Sequence, residues 1–409
     1  MLRVLSVLTS NGLLGGVGVW SLRMSEAFAG GSAITWTTLI LRNESTEDQT
    51  RWFVKPGHPN LSFFDYDSRD RKDLLRARLA DRLAEADVVL PNYVLAAWEA
   101  AAVLRRKGRT TPRLVSVVHS DHELFYDLTR RFAPVLDGVV AVSDLCGRLA
   151  RDECRGYAPL LETIPYGVPV PDRPPVKPDV PPVQLLYAGR LSEHQKRVSL
   201  FVPLVQRLLD EGIPFRLDIF GGGPAEASLR EELSRLGGPV AFHGASPLYA
   251  MADVFAPRHV QLLLSDHEGL PLAILEGMAF GVVPLVTAVR SGIPELVRQG
   301  ETGFQLPVED PVPEATRVIA TLARRPELLE SLGHRAHREV VQQYRLELSV
   351  SRWTQFLEQL LARPPALPPD SWTVPELHGF GRPSILDAPF MPRALALALR
   401  RIRHPSRGN

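Results

Sequence analysis

Two glutamates, Glu268 and Glu276, stand eight positions apart around a Gly-Leu-Pro segment that leads into an apolar stretch. Pro271 suits the first turn of a helix, where a missing N–H is tolerated. The free N–H groups of that turn and the positive end of the helix dipole form a site for anions. Because eight residues span about 2.2 helical turns, both carboxylates can line one cleft at different depths. The segment therefore predicts a diphosphate at the helix tip, flanked by carboxylates that bind hydroxyl groups. The alternative is a buried helix entry with two solvated glutamates.

A pair of basic residues follows the apolar stretch 183–188. Arg190 and Lys196 stand six positions apart there. The guanidinium offers planar forked donors and the ammonium a mobile point charge, so the two can converge on a leaving diphosphate. Only five of the 47 basic residues are lysines, which makes a lysine at this place informative. The alternative is a pair of solvated surface cations, and the motif context favours the phosphate site.

A glycine-rich stretch follows the first predicted strand, residues 2–8. Gly15 and Gly16 allow backbone N–H groups to approach an anion closely. The stretch contains no Gly-Lys-Ser/Thr and is therefore not a Walker loop, and Ser21 breaks the dinucleotide-binding fingerprint. A plain turn explains these glycines equally well.

A histidine ends another apolar stretch, at the position where parallel α/β sheets bind ligands. His119 could hydrogen-bond a sugar hydroxyl or a reacting oxygen, and Asp121 is a second candidate. Together with His122 they lack the further ligands of a metal site. Asp65 and Asp67 form an Asp-x-Asp pair of a type that can bind a divalent metal, but nothing around them continues that pattern. We predict a loop there.

The length of 409 residues is too great for one ordinary core and predicts two domains. Short apolar strands alternate with helical stretches, which is typical of parallel α/β sheets. The pattern restarts after a proline-rich run that ends at Pro182, so this run is the predicted boundary. We expect domains at 1–167 and 168–344, a helix at 345–362 and a Pro-rich tail with a short basic helix at 363–409.

The same patterns place the individual elements. The predicted strands are 2–8, 34–41, 86–90, 114–119, 138–142, 183–188, 215–220, 239–243, 260–264, 282–286 and 303–306. The predicted helices are 18–29, 70–85, 93–107, 143–153, 197–211, 225–236, 270–280, 293–298 and 312–323, with two more in 327–362. Most candidate residues fall at the carboxyl ends of strands, where two sheets facing each other across a cleft would place a ligand.

The overall composition argues against several classes of protein. The hydrophobic fraction of 45% is that of a globular chain, and the net charge of +1 gives no general attraction to nucleic acid. No apolar run reaches bilayer length. Cys146 and Cys154 are expected to be reduced thiols, which favours a cytoplasmic location. The basic stretch 393–403 could contact the inner face of the membrane or pack on the protein itself, and both alternatives stay open.

The run 265–281 resembles the paired-glutamate signature of the retaining glycosyltransferases of family 4, also called glycosyl transferases group 1. The resemblance covers roughly 1–362 and is strongest in 183–306, where glycine-rich turns at 220–224 and 291–297 follow in the family's order. It implies the GT-B fold, an α/β class with two Rossmann-like, doubly wound parallel-sheet domains that face each other across a cleft. The first domain (1–167) would bind the acceptor and the second (168–344) the nucleotide sugar, and the helix at 345–362 would cross back to the first domain.

The resemblance also implies roles for single residues. Glu268 would contact hydroxyls of the donor sugar, Glu276 the ribose hydroxyls, and His119 would lie near the transferred sugar. The donor-binding residues implied are Gly15, Gly16, Arg190, Lys196, Glu268, Gly269, Leu270, Pro271 and Glu276. The catalytic residues implied are His119, Arg190, Lys196 and Glu268, with Asp121 as the acceptor-side candidate and no metal ligand.

The implied function is metal-independent, retaining transfer of a hexosyl group from a nucleotide-diphospho-sugar to a carbohydrate or glycolipid hydroxyl, without a cofactor. Arginine-rich, lysine-poor usage fits a bacterial setting such as cell-surface polysaccharide or lipopolysaccharide synthesis. A front-face route and a two-carboxylate double displacement both stay open. So do an epimerase-type protein, which would turn over donor without acceptor, and a non-catalytic nucleotide-sugar binder. A phosphorylase is disfavoured because no lysine follows Lys196 to hold pyridoxal phosphate.

Overall fold

The computed structural model describes residues 1–10, 15–30, 33–43, 57–67, 69–108, 112–246 and 250–377. The strands within these residues form two parallel sheets, one of seven strands and one of six. The predicted α/β class with two parallel-sheet domains is confirmed.

The first sheet has the strand order β3-β2-β1-β4-β5-β6-β7. Its strands are β1 (Leu2–Thr9), β2 (Ile34–Asn43), β3 (Leu61–Tyr66), β4 (Val88–Leu90), β5 (Arg113–Val118), β6 (Gly138–Ala141) and β7 (Leu160–Thr163). The central strands are runs of buried aliphatic residues because helices cover both faces of the sheet. The strand order reverses between β1 and β4, and this reversal opens a crevice at the carboxyl ends of the strands.

Five helices of the described residues flank this sheet. They are α1 (Gly16–Ala27), α2 (Lys72–Leu83), α3 (Leu95–Arg106), α4 (Glu123–Phe132) and α5 (Asp144–Glu153). The predicted helices do not include α4, although Leu124, Leu128 and Phe132 recur at the four-residue spacing of one helix face.

The predicted loop around Asp65 and Asp67 is wrong for its first part, since Leu61–Tyr66 forms the edge strand β3. Parallel pairing with β2 satisfies one side of its backbone. Nε of Arg42, on β2, lies 2.7 Å from Oδ1 of Asp65. This ion pair between neighbouring strands allows a polar stretch to join the sheet.

The second sheet has the strand order β10-β9-β8-β11-β12-β13. Its strands are β8 (Val183–Ala188), β9 (Phe215–Phe220), β10 (Val240–Gly244), β11 (Val260–Leu263), β12 (Val283–Thr287) and β13 (Phe304–Leu306). The helices that accompany it are α6 (Glu193–Lys196), α7 (Phe201–Asp210), α8 (Glu226–Leu236), α9 (Met251–Phe255), α10 (Leu272–Ala279), α11 (Ile293–Leu296), α12 (Val312–Arg324) and α13 (Pro326–Gln343). Residues 164–182 connect the two sheets.

Helix α14 (Leu346–Ala362) leaves the second domain and packs on the first. Its Trp353 and Phe356 are buried in the same core as Trp20 and Trp36. The rings of Trp36 and Trp353 are 5.1 Å apart in an edge-to-face arrangement, a favoured geometry for aromatic pairs. The core of the first domain is therefore completed by residues that follow the second domain.

Residues 363–377, here called the strap, continue along the first domain without regular secondary structure. The buried carboxylate of Asp137 accepts a hydrogen bond from the Ala366 N–H at 2.9 Å. Trp372 in the strap packs against Phe132 of α4. The strap is thus part of the first domain.

The predicted basic helix near 393–403 lies outside the described residues. Within the part of the chain that the structure describes, no helix has the length and apolar character needed to cross a membrane. Cys146 and Cys154 are both free and buried, and burial raises the pKa of the Cys154 thiol to about 11.

Candidate active site

A cleft of about 430 Å³ lies between the two domains, at the carboxyl ends of their strands. Most of the predicted site residues line it. They are Gly15, Gly16, His119, Arg190, Lys196, Glu268, Gly269, Leu270, Pro271 and Glu276. Asp121 is not among the lining residues. The two parallel sheets therefore bring together groups that are up to 261 residues apart in sequence.

The loops after β8 and β9 form one wall of the cleft. Gly221 has a φ of 133°, and a Cβ atom there would lie 1.8 Å from the carbonyl oxygen of Gly189. Glycine is therefore required for the two loops to lie against each other. The Tyr187 hydroxyl donates to the carbonyl of Arg190 at 2.7 Å and fixes the loop, while the Arg190 side chain stays exposed at the cleft.

Lys196 and Glu268 form an ion pair in the cleft, with Nζ 2.6 Å from Oε1. The pair is held by the next residue, Arg197, whose backbone is left-handed at φ 45°. The Arg197 guanidinium donates to the carbonyls of Leu264 and Val308, each at 2.7 Å. This anchoring turns Lys196 toward the cleft and places a cation beside the carboxylate that precedes α10.

The predicted helix at 270–280 begins at Leu272, so Pro271 is its N-cap residue and does not occupy the first turn. Among the described residues, no side chain caps this end and no acidic residue lies in the first turn. Uncapped N–H groups at the positive end of a helix suit an anion. The free N–H groups at this end of the helix are those of Leu272 and Ala273, and the anion site there stays a prediction.

The Glu268–Gly269 segment touches the backbone of the first domain. Gly269 forms a β-bridge with Ser120, and a Cβ atom at Gly269 would lie 2.1 Å from the carbonyl oxygen of His119. The Gly292 N–H donates to the Gly269 carbonyl at 2.6 Å from the other side. The segment that carries Glu268 is thus clamped between the two domains.

His119 is buried, and both of its ring nitrogens are bound by protein groups. Nδ1 lies 2.7 Å from the Tyr166 hydroxyl and Nε2 lies 2.9 Å from Oδ1 of Asn92. Since the Asn92 oxygen can only accept, Nε2 carries the proton and Nδ1 accepts from Tyr166. A substrate hydroxyl could bind this ring only by replacing one of these partners.

The pKa of His119 is lowered to about 3 by burial, from an ordinary value of 6.5. The unfolded chain therefore binds a proton more readily than the folded protein, and the free energy of unfolding falls as the pH drops below 6.5. At pH 5 this residue alone should remove about 2 kcal/mol of stability relative to pH 8.

Urea unfolding of the wild type and of His119→Gln at pH 5 and pH 8 measures this effect. We expect the pH-dependent loss to be smaller in the variant by about 2 kcal/mol, because glutamine does not titrate. The same loss in both proteins would show that His119 does not remain neutral at pH 5.

Glu276 forms a buried ion pair with Arg23 of α1, between Nη2 and Oε1. Burial raises the pKa of Glu276, and the guanidinium opposes that rise. Asp121 forms a second link between the domains, with Oδ2 2.9 Å from Nε of Arg290. Glu295 forms a third, since its carboxylate accepts from the N–H groups of Asp144 and Leu145 at the start of α5.

Several residues that line the cleft or bind its side chains from behind are absent from the sequence predictions. Arg23 had a signal, because it is a charged residue inside an otherwise buried helical stretch. Asn92 and Tyr166 had none, since isolated polar residues near strand ends are common. His267 and Gln195 also line the cleft. Within the described ranges, no group of three His, Cys, Asp or Glu side chains could hold a metal ion.

Comparison with known proteins shows which family and fold the chain is similar to. Residues 182–324 match the family Glycosyl transferases group 1. A Salmonella typhimurium protein named as the colanic acid biosynthesis glycosyltransferase WcaL is 28% identical over 302 residues, which are 69% of this chain and 74% of that protein.

Two solved structures have the same fold. Sucrose-phosphate synthase of Thermosynechococcus elongatus superposes with a TM-score of 0.70 at 18% identity, over 88% of this chain and all of that one. Anabaena Alr3699/HepE, solved with UDP-glucose, gives a TM-score of 0.68 at 16% identity, over 89% of this chain and all of that one. The second domain of this chain thus matches glycosyl transferases group 1, the chain is related to glycosyltransferases of polysaccharide biosynthesis, and its two-sheet architecture is the GT-B fold.

Proposed function

We propose that the protein transfers a sugar from a nucleotide-diphospho-sugar to an acceptor hydroxyl, with retention of the anomeric configuration and without a metal. The observation that carries the proposal is the cluster of Arg190, Lys196 and the uncapped start of α10 around one cleft. These groups supply the positive charge that a departing diphosphate needs. Glu268 and Glu276 supply acceptors for the donor's hydroxyls.

In the proposed reaction the bond between the anomeric carbon and the β-phosphate oxygen breaks. The acceptor oxygen bonds to the same face of that carbon, and its proton passes to an oxygen of the leaving phosphate. Negative charge develops on the diphosphate, where Arg190, Lys196 and the N–H groups of Leu272 and Ala273 stabilise it. Closure of the cleft excludes water and so limits hydrolysis of the donor.

The front-face route is preferred here over a double displacement. A double displacement requires a carboxylate that is free to attack the anomeric carbon. Glu268, the carboxylate beside the proposed phosphate site, is already bound to Lys196 at 2.6 Å. In our proposal Glu268 instead accepts hydrogen bonds from hydroxyls of the donor sugar, and Glu276 accepts them from the ribose hydroxyls.

The acceptor is proposed to be a carbohydrate or glycolipid of cell-surface polysaccharide synthesis. Relatives support this setting, since one is named for colanic acid biosynthesis and another, from Erwinia amylovora, for amylovoran biosynthesis. The second relative is 31% identical over 32% of this chain and 33% of its own length.

Thermal unfolding with UDP, GDP, ADP and CMP, each with EDTA and with manganese, tests donor and metal together. We expect one diphosphate to stabilise the protein in EDTA, by about 2.7 kcal/mol at a hundredfold excess over Kd. Stabilisation only with manganese would contradict the metal-free site. With the matching donor, NMR of the product should show the donor's anomeric configuration, and an inverted product would contradict retention.

A further inference from the structure

The ion pair between Arg23 and Glu276 joins the two domains behind the cleft. Arg23 lies on α1 of the first domain and Glu276 on α10 of the second, and both side chains are at most 10% exposed. Nη2 of Arg23 donates to Oε1 of Glu276. No described residue hydrogen-bonds to Oε2, so this oxygen is available to a ligand.

The pair is poorly arranged for stability alone. Two charges taken out of water are repaid only when their remaining donors and acceptors are satisfied. Nη1 of Arg23 is buried and has no hydrogen-bond partner among the described residues. A buried donor without a partner is unfavourable, so stability does not explain an arginine at this place.

Two cavities border Glu276, and they show on which side of its carboxylate the Arg23 guanidinium lies. Glu276 lines the donor cleft and also a second cavity of about 200 Å³. Arg23 lines the second cavity, together with Pro169, Pro171 and Met251, and does not line the cleft. The guanidinium therefore reaches the carboxylate from behind and leaves its cleft side open.

We propose that Arg23 is a positioning residue, which holds the Glu276 carboxylate ionised and in the orientation that receives the donor's ribose. This inference rests on the proposed role of Glu276 at the ribose hydroxyls. Because Arg23 belongs to the other domain, the ribose is bound well only when α1 is docked against α10. Recognition of the donor is thus coupled to closure of the cleft.

Binding of a nucleoside diphosphate and of its 2′,3′-dideoxy form tests the proposal. The base is the one identified by the panel above, and Kd is measured by calorimetry for the wild type and for Arg23→Met. The wild type should bind the ribose form at least about tenfold more tightly, the effect of one hydrogen bond to a charged group. Arg23→Met should lose about tenfold for the ribose form and leave the dideoxy Kd unchanged.

The pH dependence separates positioning from a purely structural role. The described elements packed against α10 carry Arg23 and Glu26 on α1, Asp253 on α9, and Glu327, Glu330, His334, Arg335, His337, Arg338 and Glu339 on α13. His337 donates to the Ala279 carbonyl, and of these groups Arg23 alone shifts the pKa of Glu276. Without Arg23 the Glu276 carboxyl is more readily protonated. As the pH is lowered from 8 to 6, the preference for the ribose form should therefore weaken in Arg23→Met but persist in the wild type.

Two further variants complete the design. Arg23→Lys keeps the positive charge but lacks the paired N–H donors of a guanidinium. Compared with Arg23→Met, it should restore the wild-type pH dependence of the ribose preference and part of the affinity for the ribose form. Arg207→Met removes a surface arginine paired with Glu211 and should change neither Kd. If Arg23→Met does not fold, Arg23→Lys carries the test, with an expected loss of at least about threefold for the ribose form alone.

The outcomes distinguish the two proposals. Unchanged preference for ribose in Arg23→Met, or in Arg23→Lys where that variant carries the test, would overturn the role of Arg23 and leave the ribose site intact. Equal binding of both ligands by the wild type would overturn the role of Glu276 and this inference with it. Equal losses for both ligands would show a structural role of Arg23.

Discussion

Replacing Lys196 with alanine is expected to lower kcat/KM for the donor by at least about 100-fold, or about 2.7 kcal/mol. The substitution removes the cation proposed to neutralise the departing diphosphate. It also leaves Glu268 without the partner that lies 2.6 Å away, so an uncompensated carboxylate then faces the phosphates. Since charge builds up mainly in the transition state, kcat should fall more than donor affinity.

Steady-state kinetics with the donor identified by the thermal panel measures this loss. Lys107→Ala is the matched control, because Lys107 is an exposed residue at the end of α3, and its kinetics should equal those of the wild type. Kinetics close to wild type in a folded Lys196→Ala would overturn the assignment of Lys196 to the leaving group.

Gly269→Ala is expected to reduce kcat/KM by at least about 100-fold as well, although it adds only one methyl group. The new Cβ would lie 2.1 Å from the carbonyl oxygen of His119 and 2.7 Å from Cα of Ser120. Both are backbone atoms and cannot rotate away, so the segment must retreat and take Glu268 with it. A displacement of about 1 Å at a reacting centre is enough for a loss of this size.

Gly30→Ala is the control for the change of residue type, because a Cβ at Gly30 meets no atom within 4 Å. Its activity should be that of the wild type. Circular dichroism verifies that Gly269→Ala is folded before its kinetics are compared. A folded Gly269→Ala with full activity would show that the close contact with His119 is not needed for catalysis.

Much of the fold could be predicted because the buried strands are short apolar runs separated by helical stretches. The strands 183–188 and 215–220 are found at the predicted residues. The edge strands β3 and β7 were missed, since an edge strand is half-exposed and its polar residues interrupt the apolar run. Their pairing depends on the neighbouring strand more than on their own composition.

The candidate site could be predicted in part for a related reason. In parallel sheets, residues at strand ends converge whatever their distance in sequence, so Arg190, Lys196 and Glu268 could be expected in one cleft. The contact between Arg23 and Glu276 could not, because it spans 253 residues and depends on how the domains dock. The orientation of the His119 ring could not be predicted from the sequence either, since it is set by hydrogen bonds to two side chains that are distant in sequence.

The packing of α14 and the strap has a consequence for folding during synthesis. The second domain has its own core, formed by residues between Val183 and Leu332. The first domain lacks Trp353, Phe356 and Trp372 until the ribosome has released residues 346–377. Domains generally fold as units as they emerge. The domain that is made first is therefore finished last, and until then the aromatic surface around Trp20 stays uncovered.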